Sequence, residues 1–127
     1  GAAMKSTWKG FVAYAFIGVA NTLIHWQIFY VLHSGIGLSQ RVSNFTAFCF
    51  AASFSFYVNA LYTFENQTLV GRYLLFISFM GLLSLIVGAA GDYFELHGLL
   101  TLVIFSGVSL VCGFLFSRLV VFREGDR

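Results

Sequence analysis

Charged side chains are scarce in this chain. They make up 9% of its 127 residues, whereas a soluble domain carries about 25%. Hydrophobic residues account for 59% of the sequence, and the few charges fall in short clusters between long apolar runs. This pattern excludes an ordinary soluble fold and is typical of a chain whose solvent is lipid. The net charge of +2 is too small and too scattered for a nucleic-acid surface, so no nucleic-acid partner is expected.

The sequence also lacks the residue patterns of most enzymes. It has no glycine-rich loop followed by Lys and Ser or Thr, so no ATP hydrolysis is expected. Its two cysteines, Cys49 and Cys112, lie in apolar segments and outside any zinc-like spacing, so they are interpreted as packing thiols with no metal or cofactor. The five acidic residues fall at predicted joins or in the C-terminal tail: Glu65, Asp92, Glu95, Glu124 and Asp126. Their positions argue against paired-carboxylate glycosidase chemistry and against a proton-coupled exporter.

The apolar runs predict an all-α integral membrane protein with four transmembrane helices. About 20 apolar residues cross the hydrocarbon core as a helix, and open loops are excluded from lipid. The predicted spans are residues 11–32, 42–64, 73–91 and 99–122. Because the joins are short, neighbouring helices are predicted to be antiparallel. Residues 4–127 are expected to form a single domain, with Met4 as the native start and residues 1–3 derived from the expression vector.

The positive charges predict the orientation of the spans. Six of the seven lie on one side of the predicted bundle: Lys5, Lys9, Arg72, Arg118, Arg123 and Arg127. Only Arg41 lies on the other side. The positive-inside rule therefore predicts that both termini are cytoplasmic, in a multi-pass protein of the bacterial inner membrane.

A weak internal repeat suggests how the helices are related. The segment FYVNALYTF (Phe56 to Phe64) overlays FLFSRLVVF (Phe114 to Phe122), with identity at three of nine positions. Each unit would contain two spans, so the repeat predicts two tandem helix hairpins in parallel orientation, related by an axis along the membrane normal.

Polar side chains within the predicted spans are candidate functional groups. On the first helix, Asn21 and His25 are four residues apart and share a face. They are candidates for contact with a hydrophilic substrate, and the alternative is that they hydrogen-bond a neighbouring helix.

The second helix carries a small and polar stripe backed by bulky residues. Its members are Arg41, Asn44, Ala51, Ala52, Ser55, Asn59 and Tyr62. Such a stripe could line a path for a hydrophilic headgroup, or it could be a helix-packing seam. On the third and fourth helices, Gly and Ser residues recur at helical spacing (Gly81, Ser84, Gly88 and Gly91; Ser106, Ser109, Gly113 and Ser117), and packing is the favoured interpretation for them.

Arg72 and Arg118 lie near the predicted cytoplasmic surface. Arginine pairs with phosphate bidentately and stays charged at any relevant pH. Both residues are therefore candidate phosphate ligands, and the alternative is that they anchor the helix ends in the anionic leaflet.

Four segments together resemble the GtrA-like family, and the resemblance covers nearly the whole chain. They are GVANTLIHW (Gly18 to Trp26), SNFTAFCFAASFSFYVNALYTF (Ser43 to Phe64), GRYLLFISFMG (Gly71 to Gly81) and SLVCGFLFSRLVVFRE (Ser109 to Glu124). The resemblance implies a translocase, and not an enzyme, that moves polyprenyl-phosphate-linked glucose or a similar sugar from the cytoplasmic to the periplasmic leaflet for modification of O-antigen or another surface polysaccharide. It also implies two partner enzymes, a polyprenyl-phosphate glycosyltransferase on the cytoplasmic side and a glucosyltransferase on the periplasmic side.

The chain departs from the family pattern at two places. Basic residues common in the family are replaced by Ala13-Tyr14 and by Ala60-Leu61, so the phosphate end is expected near Arg72 and Arg118. The predicted substrate-binding residues are Asn21, His25, Asn44, Ser55, Asn59, Arg72 and Arg118. Because four helices make a thin bundle, a homo-oligomer is also expected.

Two other functions remain open from the residues alone. The chain could be a non-transporting membrane module that anchors or assembles a glycosyltransferase, with the polar stripe as its helix interface. It could also be a small proton-coupled exporter, in which case transport would depend on His25 as the one proton carrier within the membrane.

Overall fold

The computed structural model describes the backbone of residues 2–62 and 67–125, and the side chains of residue 12 and residues 15–58 and 70–116. Within these ranges the backbone is helical apart from short connections, and it contains no strand. The helices are α1 (Ala2–Tyr30), α2 (Gln40–Tyr62), α3 (Gln67–Tyr93) and α4 (Gly98–Gly125). The chain contains no proline, the residue that most often breaks a helix interior, which is consistent with such long helices.

Three segments of the described residues are long and apolar enough to cross a membrane. They are Ala15–Ile36, Val70–Tyr93 and Gly98–Phe116. The predicted all-helical membrane protein is therefore confirmed for the first, third and fourth predicted spans. The span predicted at residues 42–64 corresponds to α2, which is less apolar, and its crossing of the membrane stays a prediction.

The helix ends differ from the predicted joins in two places. After Tyr30 the chain continues as a π-helical turn, Val31–Ile36, which ends where Gly37 adopts a φ of 91° and its N–H bonds the carbonyl of Leu32. This left-handed backbone is accessible to glycine at little steric cost. In addition, α3 begins at Gln67, so Arg72 lies within a helix and not in a join. Arginine is a good helix former, which is consistent with this position.

α2 is the central helix of the bundle. It packs most extensively against α3 and α1, whereas α4 packs mainly against α3. The largest helix interface thus joins the two predicted hairpins, so the tandem-hairpin relationship stays a prediction.

The predicted two-sidedness of α2 is confirmed for part of the helix. The stripe members Asn44 and Ser55 are buried, whereas Arg41 is exposed. The side chains of Asn59 and Tyr62 lie outside the described residues.

The small residues Ala47, Ala51 and Ala52 are buried, whereas Phe50 and Tyr57 are exposed. Small side chains allow the neighbouring helix backbones to approach closely. Of the bulky side chains of α2, Phe50 and Tyr57 therefore point out of the bundle, whereas Phe48 and Phe56 pack against rings of α4 and α3. The small and polar side of α2 faces α1 and α3.

The glycines of α3 make this close approach possible. A Cβ atom at Gly88 would lie 2.6 Å from Arg41 Cα and 2.7 Å from the Gln40 carbonyl oxygen. A Cβ atom at Gly91 would overlap Thr101 Oγ1 and the amide of Gln40. The packing function predicted for the small residues of α3 is therefore confirmed at these two positions.

Candidate functional site

Two of the predicted site residues meet between α1 and α2. The Ser55 hydroxyl of α2 donates a hydrogen bond of 2.8 Å to the Asn21 side-chain oxygen of α1. The four-residue spacing of Asn21 and His25 sets them on the face of α1 that turns toward α2. The bond holds the two helices together in the apolar interior, where exposed polar groups are unfavourable.

A second polar contact lies closer to the start of α2. His25 is 5% exposed and Asn44 is fully buried, and the two side chains lie next to each other. Asn44 Nδ2 donates a hydrogen bond of 2.9 Å to the backbone carbonyl of Ser84 in α3. The His25 ring packs against Phe105 of α4, with 5.3 Å between the ring centroids. His25 of α1 and Asn44 of α2 thus lie side by side, and together they contact α3 and α4.

Some hydrogen-bonding capacity in this region is unused by the described residues. His25 Nε2, Asn44 Oδ1 and Ser43 Oγ are buried and have no hydrogen-bond partner within the described part of the chain. Most buried polar atoms in proteins are paired, and an unpaired one is unfavourable. These three atoms therefore have hydrogen-bonding capacity that no described residue uses. Ser43 was not among the predicted site residues, because its side chain is one position off the stripe defined by Asn44 and Ser55.

The first turn of α2 is held by a polar network that the sequence analysis missed. The Asp92 carboxylate at the end of α3 accepts bonds from the backbone N–H groups of Gln40 (2.8 Å) and Arg41 (2.9 Å). The Gln40 side chain is 4% exposed; its Nε2 donates to the Leu96 carbonyl and its Oε1 accepts from the Thr101 hydroxyl. A sequence signal existed, because a carboxylate at the C-terminal end of its own helix is unfavourable unless the N-terminus of an antiparallel helix lies beside it.

Arg72 lies at a different place, on an open groove between α3 and α4. The groove has a volume of about 340 Å³ and is lined by Arg72, Leu75, Phe76, Phe79 and Phe116. The rings of Phe76 and Phe116 stack with centroids 4.5 Å apart. The structure therefore does not bring Arg72 to the His25 and Asn44 pair.

An aromatic contact nevertheless links the groove to α2. Tyr73 packs against Phe116 at 6.4 Å and stacks on Phe56 of α2 at 5.9 Å between ring centroids. Ring contacts therefore join the groove to the helix that carries the polar stripe.

Two predicted site residues, Asn59 and Arg118, are described by their backbone alone. Asn59 lies on α2 and Arg118 on α4 by their backbone, and both side chains lie outside the described residues. Along α2, the distance from Asn44 to Ser55 is about 16 Å at the usual helical rise. The described polar side chains therefore extend over about half of a membrane thickness.

Comparison with known proteins gives a consistent result along nearly the whole chain. The family model described as "GtrA/DPMS, transmembrane domain" matches residues 13–122. The chain is 51% identical over 116 residues to a protein named "Bactoprenol-linked glucose translocase" from Shigella phage SfV, and 48% identical over 116 residues to one of the same name from Salmonella phage P22. It is also 48% identical over 120 residues to a "Prophage bactoprenol-linked glucose translocase homolog" from Escherichia coli (strain K12). Each match covers 91% of this chain and 97% of the relative. No solved structure matches the chain.

Proposed function

Because this chain belongs to the GtrA/DPMS transmembrane-domain family, we propose that it moves a polyprenyl-phosphate-linked glucose, or a similar sugar, across the bacterial inner membrane. The movement is from the cytoplasmic to the periplasmic leaflet, and it supplies sugar for modification of O-antigen or another surface polysaccharide. The observation that carries this proposal is the near full-length match to relatives named as translocases of bactoprenol-linked glucose, at 48% to 51% identity. The family resemblance inferred from the sequence motifs is thereby confirmed.

We propose that α2 is the fourth membrane span. Its 23 residues rise about 34 Å, which exceeds the roughly 30 Å of a hydrocarbon core. Its buried polar residues face α1 and α3 and are shielded from lipid by them, which explains why its composition is less apolar. With four spans and the positive-inside rule, both termini are cytoplasmic.

The sugar headgroup is the part of the substrate that requires a polar route. The prenyl chain can remain in hydrocarbon throughout, whereas the hydroxyl groups of the sugar need hydrogen-bond partners. Asn21 and Ser55 in the middle of the bundle, and His25 and Asn44 nearer the start of α2, supply such partners along the interface of α1 and α2. We propose that Asn59, a member of the stripe predicted from the sequence, extends the route toward the cytoplasmic end, where Arg72 and Arg118 are the proposed phosphate ligands.

Passage along this route requires hydrogen bonds between the helices to be replaced by hydrogen bonds to the sugar. The Ser55 to Asn21 bond and the Asn44 to Ser84 bond close the interfaces of α2 with α1 and α3. Sugar hydroxyls are donors and acceptors of the same kind, so they can replace these bonds without leaving the side chains unpaired. With no ATP-binding motif in the sequence, net movement follows the gradient set by synthesis of the lipid-linked sugar on one side and its consumption on the other.

The partners proposed from this function are the enzymes on either side of the membrane. A polyprenyl-phosphate glycosyltransferase supplies the substrate in the cytoplasmic leaflet, and a glucosyltransferase uses it in the periplasmic leaflet. A homo-oligomer would enclose the route more completely than one thin bundle.

One observation favours a second function. The Ser55 to Asn21 and Asn44 to Ser84 bonds satisfy part of the polar stripe within the chain, as expected for a packing seam. The second candidate is therefore a non-transporting membrane module that anchors or assembles a glycosyltransferase.

Reconstitution separates the two functions. The purified chain alone is incorporated into liposomes that contain the lipid-linked sugar, and its movement between leaflets is followed by accessibility to an impermeant reagent. A translocase accelerates this movement above protein-free liposomes. If the chain binds the glycosyltransferase but leaves the movement at the protein-free rate, the anchoring function is correct and the translocase proposal is wrong.

A further inference from the structure

The surface of the groove between α3 and α4 is almost entirely apolar, and its lining residues include the basic residue Arg72. Arg72, Leu75, Phe76 and Phe79 recur at helical spacing along one face of α3, and Phe116 of α4 forms the opposite side. Since Arg72 lies near the start of α3 and Phe79 about 10 Å further along the helix axis, the charge is at the membrane-surface end of the groove and the apolar wall extends inward. The groove is therefore complementary to a membrane lipid with an anionic head, because its basic end can face the head and its apolar wall can face the chain.

We propose that this groove binds the phosphate and the first prenyl units of the polyprenyl-phosphate-linked substrate, with Arg72 on the phosphate and Leu75, Phe76, Phe79 and Phe116 around the chain. The inference rests on the proposed function and adds to it a binding site for the lipid portion of the substrate. The site lies outside the α1 and α2 interface. Because the sugar is bonded directly to the phosphate, the sugar lies beside Arg72 while the groove is occupied and enters that interface only afterwards.

Charge complementarity selects an anionic lipid. A guanidinium group carries five N–H donors and stays ionised at any relevant pH, so Arg72 can bind a phosphate oxygen while keeping another contact. Such charge-assisted bonds to phosphate are stronger than neutral hydrogen bonds, and more so where water is scarce.

The shape and lining of the groove favour one prenyl chain over a diacyl phospholipid. A volume of about 340 Å³ holds a short stretch of a single chain, and a phospholipid would leave its second chain outside. The stacked pair of Phe76 and Phe116 makes a rigid wall, and aromatic faces pack well against branched, unsaturated groups. The groove also adjoins the proposed headgroup route, because Tyr73 contacts both Phe116 and Phe56.

Binding of radiolabelled polyprenyl phosphate to the full chain in zwitterionic phospholipid nanodiscs tests the site. Phe79 and Phe50 are 55% and 59% exposed, so both can be truncated with little effect on folding, and only Phe79 lines the groove. We expect Phe79→Ala to raise the dissociation constant about fivefold or more, the size expected for loss of a half-buried aromatic contact, whereas Phe50→Ala changes it less than about twofold. Leu75→Ala and Leu110→Ala, at residues 74% and 71% exposed, form a second matched pair with the same expected order.

Two competitors identify the chemistry that is recognised. Polyprenol without phosphate should compete only weakly with the labelled polyprenyl phosphate for the wild-type chain. In Arg72→Gln, polyprenol and polyprenyl phosphate should compete equally well. Phosphatidylglycerol at equal mole fraction should compete poorly. Equal competition by phosphatidylglycerol would mean that the groove takes any anionic lipid, and the proposal would be wrong.

Equal dissociation constants for Phe79→Ala and Phe50→Ala, or no binding to the wild-type chain, would also overturn the proposal. Movement of the lipid-linked sugar is measured on the same preparations in liposomes. If the dissociation constants are equal or binding is absent while flux is normal, the proposed groove site is wrong and the proposed function stands. If the wild-type chain gives no flux, the proposed function is wrong.

Discussion

The Asp92 carboxylate at the end of α3 caps the N-terminus of α2 by accepting the backbone N–H groups of Gln40 and Arg41 at 2.8 and 2.9 Å. One acidic side chain thus satisfies two donors that a helix leaves unpaired, and its negative charge lies at the positive end of the α2 dipole. The contact fixes where α2 begins relative to α3. The depth at which the polar stripe of α2 lies in the bundle depends on this contact.

Removal of this cap should destabilise the bundle. We expect Asp92→Ala to lower the free energy of unfolding by about 1 to 2 kcal/mol, the usual size of an N-cap contribution. Asp92→Asn should lose less, because it keeps one acceptor oxygen. The measurement is denaturant unfolding in detergent micelles followed by circular dichroism. Glu95→Gln is the control, and an equal loss from it would show that any acidic residue in this turn matters equally.

The close approach of α2 and α3 should depend on Gly88. A Cβ atom there would lie 2.6 Å from Arg41 Cα, a backbone atom that cannot move without shifting α2. We expect Gly88→Ala to destabilise the protein by about 1 to 3 kcal/mol, as overpacking does. Gly107→Ala is the matched control, because nothing lies within 4 Å of a Cβ atom at Gly107. Equal unfolding midpoints for the two variants would contradict the helix packing described here.

The bond between Asn21 and Ser55 should be measurable as a coupling energy. In a double-mutant cycle of Asn21→Ala and Ser55→Ala, we expect about 0.6 kcal/mol, typical of interhelical hydrogen bonds in membrane proteins. The same cycle with Thr22→Ala in place of Asn21→Ala should give no coupling, because the Thr22 hydroxyl bonds the Gly18 carbonyl within α1. A coupling of equal size in both cycles would mean that the energy does not come from this bond.

The proposed route predicts which substitutions impair transport. We expect Asn59→Leu and Arg118→Ala to lower flux in liposomes by about tenfold, since each removes a proposed polar contact with the substrate. Cys49→Ser and Cys112→Ser should leave flux within about twofold, because both changes are conservative and neither residue belongs to the proposed route. Cys49, predicted from the sequence to be a packing thiol, is in fact exposed, and Cys112 is half-buried. All four proteins are compared at equal folded amount. Equal flux in all four would mean that the polar stripe is only a packing seam.

The exporter interpretation predicts a different dependence on pH. A proton-coupled exporter needs a titratable group in the membrane, and His25, which is buried within α1, is the candidate predicted from the sequence. For the translocase, we expect each protein to give the same sugar flux with and without a pH gradient across the liposome. This holds for the wild-type chain and for His25→Ala, whatever the size of the flux in the variant. Flux that follows the pH gradient and loses this dependence in His25→Ala would support the exporter.

The structure brings together only part of the site predicted from the sequence. Helical periodicity was enough to set Asn21 and His25 on one face and Asn44 and Ser55 on another, and these two faces do meet. Periodicity gives no information about which helix lies opposite, so it missed Ser43 and the Gln40 network. The sequence analysis also predicted that Arg72 lies in a join, because a charged residue was taken to mark the end of a span. In the structure α3 begins five residues earlier, at Gln67.

The sequence by itself determined that this chain is a helical membrane protein and to which family it belongs, because composition, span length and local motifs are properties of the chain alone. The tertiary structure decided what each polar residue contacts, because helices distant in sequence are brought together only by packing. The glycines of α3 let α2 approach, Asp92 sets its start, and the resulting bundle separates a polar interface between α1 and α2 from an apolar groove beside Arg72.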